Sequence, residues 1–106
     1  MKKALIFGSG STALRLLPRV ERDYEVLAFL DNDAKRWGTT VAGRTVFAPN
    51  DLKTFSYDAI VVASLPGLYV IYDQLVEMGV DGSRIDKHYI EASVESPVCF
   101  PRNPCM

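Results

Sequence analysis

The chain has 106 residues, 48% of them apolar and 24% charged, with 12 basic and 13 acidic side chains and a net charge of −1. That length allows one domain with one core, and the balanced charge excludes a protein that grips nucleic acid by neutralising its phosphates. No run of ~18 apolar residues occurs, so no membrane span is expected; the apolar part of "MKKALIF" stops at Gly8, short of a ~7–15-residue secretory core, and the chain reads as cytoplasmic.

Lys3 to Phe7 is a short apolar run ending in glycine, which predicts a buried strand. A helix follows, with Ser11 or Thr12 as its expected cap and Ala13, Leu14, Leu16 and Leu17 as its apolar stripe. Pro18 removes a helical hydrogen bond, so a kink or restart is expected there, with Val20 the last apolar contact. "YEVLAFLD" predicts a second strand, Tyr24 to Leu30, closing on Asp31. The polar stretch "NDAKRWGTTVAGRT" is too rich in glycine and charge for a regular helix of any length. Val46 and Phe47 suggest a short strand, and "APNDLK" a helical turn capped by Asn50 or Asp51.

"DAIVVAS", Asp58 to Ser64, is the clearest strand: its apolar residues are consecutive, as in a parallel sheet covered on both faces. Pro66 and Gly67 open a helix from about Leu68 to Met78, with Leu68, Ile71, Leu75 and Met78 on one side and Gly79 as its stop. A last short strand falls near Ile85. The order predicts an α/β protein: a doubly wound, mainly parallel five-stranded sheet of order 3-2-1-4-5 over residues 1–90. Residues 91–106, with Pro97, Pro101 and Pro104, form a proline-rich tail without a period. Its Cys99 and Cys105 are neither a disulfide framework nor a complete zinc site, and no metal is expected.

"GSGSTA" is Gly8-x-Gly10-x-x-Ala13, the dinucleotide fingerprint with alanine as its third small residue. Gly8 makes the tight turn, Gly10 lets the main chain approach a pyrophosphate, and Ala13 keeps the helix close to the sheet. Ser9, Ser11 and Thr12 complete the loop, whose free N–H groups face an anion. The other reading is a sharp bend between strand and helix. Asp31, 23 residues beyond Gly8, is placed to accept the hydroxyls of an adenosine ribose, which favours NAD over NADP; Lys35 and Arg36 moderate that preference. Asn32, beside it, is a further expected cofactor contact; the other reading of Asp31 is a cap on the following turn. Ser64 and Pro66 occupy the rim at the end of the next strand, beside the point where the strand order reverses. Trp37 either stacks on a base or covers the sheet edge, and His88 has no partner spacing that suggests a triad or metal site. None of the five tyrosines has a lysine four residues on, so the Tyr-x-x-x-Lys pair of short-chain dehydrogenases is absent, and no P-loop occurs.

The segments "FGSG", "FLDND", "WG…AGRTV" and "AIVVAS" resemble the small Rossmann-like domain of bacterial surface-polysaccharide enzymes. The chain is similar over about Lys2 to Ile85 to the N-terminal domain of nucleotide-sugar dehydratase/epimerases. It also resembles the nucleotide-sugar-binding domain of sugar O-acetyltransferases, and redox-sensing NAD domains of bacterial repressors share the outline. The resemblance implies Gly8, Gly10 and Asp31 as ligand positions, NAD as cofactor with a UDP-sugar or CoA as alternatives, and chemistry done by another domain. The expected function is therefore a nucleotide-binding accessory or regulatory module without catalysis of its own. Its partners would be a nucleotide and either a second copy or a separate catalytic domain. Two alternatives stand beside it. One is a small NAD-dependent sugar oxidoreductase or epimerase subunit that uses Ser64, Tyr69 or His88 as a proton carrier. The other is an interaction domain that docks through the apolar tail around Val98 and Phe100.

Overall fold

The computed structural model describes residues 1–64 and 68–90. In chain order the elements are β1 (Lys2–Phe7), α1 (Ser11–Asp23), β2 (Tyr24–Leu30), β3 (Thr40–Val41), β4 (Arg44–Phe47), β5 (Ala59–Val62), α2 (Leu68–Glu77) and β6 (Ile85–Asp86). Short 3-10 turns lie at Ala34–Arg36, Pro49–Thr54 and Gly82–Arg84. The sheet order is β3-β4-β2-β1-β5-β6, parallel except for the β3–β4 pair.

Ala4 to Phe7 of β1 and Ala59 to Val62 of β5 are buried at every position, which requires cover on both faces of the sheet. Right-handed crossovers supply it. The β1–α1–β2 unit winds toward one edge and the β5–α2–β6 unit toward the other, so the two helices lie on opposite faces. Ala13, Leu16, Leu17 and Val20 of α1 pack on one side, and Leu68, Ile71 and Leu75 of α2 on the other. The winding direction changes between β1 and β5, and the carboxyl ends of those two strands meet there.

The five expected strands keep their relative order, and a sixth is added at the edge. Ala42 and Gly43 both have positive φ, 50° and 80°, and close a two-residue turn that folds β3 back on β4. Four local expectations are corrected. Helix α1 runs unbroken through Pro18, because the residue is exposed and the carbonyl it leaves unbonded belongs to Leu14, on the solvent side. Leu14 accordingly lies outside the apolar stripe, at 47% exposure. Neither Ser11 nor Thr12 caps α1; Gly10 holds that position and brings no side chain to it. Near Pro49 the turn begins after Ala48, with the Asp51 carboxylate reaching back to accept from the Ala48 N–H at 3.3 Å. Among the described residues no helix is long and apolar enough to cross a membrane. The proline-rich tail falls outside the described residues.

Candidate functional site

The glycine loop is fixed from both sides by its neighbouring strands. The Gly8 N–H donates to the Leu30 carbonyl at the end of β2 (2.7 Å), and the Ala63 N–H, just past β5, donates to the Phe7 carbonyl (2.8 Å). Gly8 has φ +118°, and a Cβ there would lie 2.7 Å from the Ala63 carbonyl oxygen. Glycine is therefore required at this position by the sheet itself. At Gly10 a Cβ would meet nothing within 4 Å, so its missing side chain leaves open space above the first turn of α1. The Gly10 carbonyl accepts from the Leu14 N–H at 3.1 Å, but the Ser11, Thr12 and Ala13 amides have no intrahelical acceptor and Gly10 brings no side chain to cap them.

Ser9 is the one polar residue of the described core, at 2% exposure. Its N–H and its hydroxyl both donate to Asp31 Oδ2, at 3.1 and 2.6 Å. Arg36 Nη1 donates from above to the Ser9 carbonyl (3.0 Å) and to its Oγ (3.3 Å). Asp31 Oδ1 accepts from the Asp33 N–H (2.8 Å), closing an Asx turn into the 3-10 segment that carries Arg36. Asp31 thus performs the turn-capping role foreseen as an alternative, and it also lashes the glycine loop to β2. A carboxylate has about four acceptor positions, so Oδ1 retains one. The Trp37 indole N–H donates to the Asp31 carbonyl at 2.7 Å and fixes the far side of the same turn.

Gly8, Ser9, Gly10, Ser11, Thr12, Asp31 and Ser64 line one cleft of about 280 Å³, together with Arg36 and Ala63. The structure brings all of these sequence-singled residues to the carboxyl ends of β1, β2 and β5. Asn32 does not join them. Its side-chain amide exchanges two hydrogen bonds of 2.9 Å with Gln74 on α2, and it lines a neighbouring cleft of about 460 Å³. Pro66 lies outside the described residues. Among the described residues Tyr69 and His88, considered as proton carriers, do not line the glycine-loop cleft, and no group of three or more His, Cys, Asp or Glu is placed to hold a metal ion. Arg36, expected only to moderate the preference for NAD, is a lining residue of the site. Its signal was its place five residues beyond Asp31, one turn after the strand end.

A doubly wound sheet with a glycine-lined cleft at its switch point defines a Rossmann-like α/β domain. Residues 1–86 match the family described as C2185-like, N-terminal, and the chain belongs to that family. Comparison with curated proteins finds no match. Among solved structures, the UDP-D-quinovosamine 4-dehydrogenase from Vibrio fischeri is similar at 27% identity and a TM-score of 0.65, over 92% of this chain and 86% of that one. RSP, a Rex-family repressor, is similar in fold at 13% identity and a TM-score of 0.62; its complex with β-NADH gives 14% and 0.60. The match covers 92% of this chain in both cases, but only 57% and 58% of the two repressor chains.

Proposed function

We propose that the chain is a nucleotide-binding module, NAD(H) foremost, that serves as an accessory or regulatory part of a nucleotide-sugar or surface-polysaccharide enzyme system. Residues 1–90 would form the binding domain and 91–106 a tail outside it. The observation that carries the reading is the open space at Gly10, bordered by unbonded amides at the positive end of α1 and by the Arg36 guanidinium. A diphosphate would accept from those amides, while Ser11 and Thr12 supply hydroxyls at the rim. The remaining acceptor position of Asp31 Oδ1 would take a ribose hydroxyl, and Ser64 would face the distal half of a dinucleotide. NAD, when bound, supplies hydride transfer. The one carboxylate of this cleft is committed to Ser9 and Asp33, which favours a binding role over proton transfer by this chain.

The similarity to a UDP-sugar dehydrogenase keeps a UDP-sugar as the second ligand to test. A thermal melt with NAD, NADH, UDP-sugars and CoA decides among them. A ligand at ~100 times its dissociation constant adds ~2.7 kcal/mol, several degrees for a domain of this size. The expected result is a shift with NAD or NADH that Gly10→Val removes while its own unliganded melt remains cooperative. No shift with any nucleotide would overturn the proposal.

A further inference from the structure

The outward sides of the two helices differ in charge. On α1, Arg15, Pro18, Arg19 and Arg22 are exposed and fall on the side away from the buried Leu16, Leu17 and Val20. Exposed Leu14 borders them. The acids of this helix are engaged within the molecule: Glu21 pairs with Arg44 of β4 at 2.6 Å, and Asp23 accepts from Tyr89. Helix α2 has the opposite pattern. Asp73 and Glu77, one turn apart, stand at the middle of its exposed side, and Leu68–Glu77 contains no basic residue. Tyr69 and Val70 flank them at 66% and 70% exposure, with Val76 beside Tyr69. Lys87 reaches only the flank of α2, over the Tyr72 and Tyr69 rings at 4.8 and 5.8 Å. Among the described residues Arg19, Arg22, Asp73 and Glu77 take part in no ion pair.

Neither face suits a twofold contact with its own copy. Packing α1 on α1 sets guanidinium against guanidinium, and α2 on α2 sets carboxylate against carboxylate; like charges across an interface repel. Packing α1 of one copy on α2 of another matches cation to carboxylate. The directions agree as well. Both helices return from the carboxyl ends to the amino ends of parallel strands, so a copy displaced along the sheet normal lays its α2 parallel to α1. Leu14 to Arg22 spans about 12 Å of helix axis and Val70 to Glu77 about 10 Å. Leu14 therefore meets Val70 while Arg19 and Arg22 meet Asp73 and Glu77.

We infer that the chain associates head to tail with a second copy of itself, the basic face of α1 docking on the acidic, apolar-flanked face of α2. The two helices cover opposite faces of the sheet, so a copy bound through one face leaves the other open and the contact propagates as a stack. One helix face against another is an interface of the weak, transient class, under about 1,200 Å². Its ion pairs are exposed and therefore sensitive to salt. None of these four charged residues lines the glycine-loop cleft, so the contact stands or falls apart from the nucleotide.

Sedimentation equilibrium of the full chain, from micromolar to millimolar protein, tests the contact at about 0.02 M and about 0.5 M salt. The mass should rise past that of a dimer at low salt and return toward the monomer at high salt. Arg19→Glu/Arg22→Glu and Asp73→Lys/Glu77→Lys should each weaken self-association about tenfold. An equimolar mixture of the two should recover it, since each then presents the face that the other lacks. Asp73→Asn/Glu77→Gln provides the loss without reversed charge should a reversal variant not melt cooperatively. A monomer at millimolar concentration in low salt, a mass that stops at two copies, association undiminished in the folded variants, or a mixture that stays dissociated would overturn the head-to-tail contact.

Discussion

A methyl group on Gly8 would press on the Ala63 carbonyl at 2.7 Å, whereas one on Gly10 would point into space. Gly8→Ala also forces a side chain into φ +118°, so strain and overpacking add, and a loss of about 2–5 kcal/mol is expected in urea unfolding. Gly10→Val should cost about 1 kcal/mol, the scale of a lost helix cap, and act on ligand rather than on the fold. Asp31 is the other residue on which the loop depends. Removing its carboxylate leaves the Ser9 hydroxyl without its acceptor inside the core, a cost of about 1–3 kcal/mol. Asp31→Asn keeps an acceptor oxygen and should retain most of what Asp31→Ala loses in the same unfolding measurement. Equal losses in the two variants would show that the charge, rather than the hydrogen bond to Ser9, holds the loop.

Helix α1 tolerates a proline at its eighth position because only the outer wall of the helix is disturbed there. Pro18→Ala restores a backbone donor for the Leu14 carbonyl and relieves the ring, and a gain of about 1–3 kcal/mol is expected in a thermal melt. The same helix shows what could be read beforehand. Its buried stripe and the strands on either side were legible, since apolar periodicity and runs of buried β-branched residues are local properties of the sequence. The β3–β4 hairpin was not, because two-residue strands carry almost no pattern and alanine is an unusual occupant of a turn with positive φ. At the site, the fingerprint glycines were legible from spacing alone. The Asp31–Ser9–Arg36 clamp was not: it joins residues 22 and 27 positions apart, and depends on register placing the end of β2 beside the end of β1. Asn32 was misplaced for a related reason, since its side-chain amide is held by Gln74 of α2, 42 positions away in the chain.

Two phenols join the last described residues to the early part of the fold. Tyr24, at the start of β2, donates to the Asp86 carboxylate at 3.0 Å, and the buried Tyr89 donates to Asp23 at the end of α1. These bonds span 62 and 66 residues, so they act on the cooperativity of the whole unit rather than on one turn. Burial, the hydrogen bond to Asp86 and the nearby carboxylate charges push the Tyr24 phenol up from 10.0 to about 12. Burial and the bond to Asp23 push Tyr89 upward as well. A raised phenol keeps its proton in the folded state at a pH where the unfolded chain has released it. The contribution is fully present below pH 10, and it is lost as the pH rises from 10 toward 12, because the unfolded state sheds protons first. Urea unfolding followed from pH 8 to pH 11.5 should show a falling midpoint above pH 10. The Tyr24→Phe/Tyr89→Phe double variant should be less stable at pH 8, since the hydroxyl donors to the Asp86 and Asp23 carboxylates are gone, and should fall less steeply above pH 10. Lysine titration is common to both proteins and cancels in that comparison. Parallel pH curves for the two would mean that the phenols share their protonation with the unfolded chain, and that the closure of residues 86–90 onto α1 and β2 rests on the apolar packing of Tyr89 and Ile90 alone.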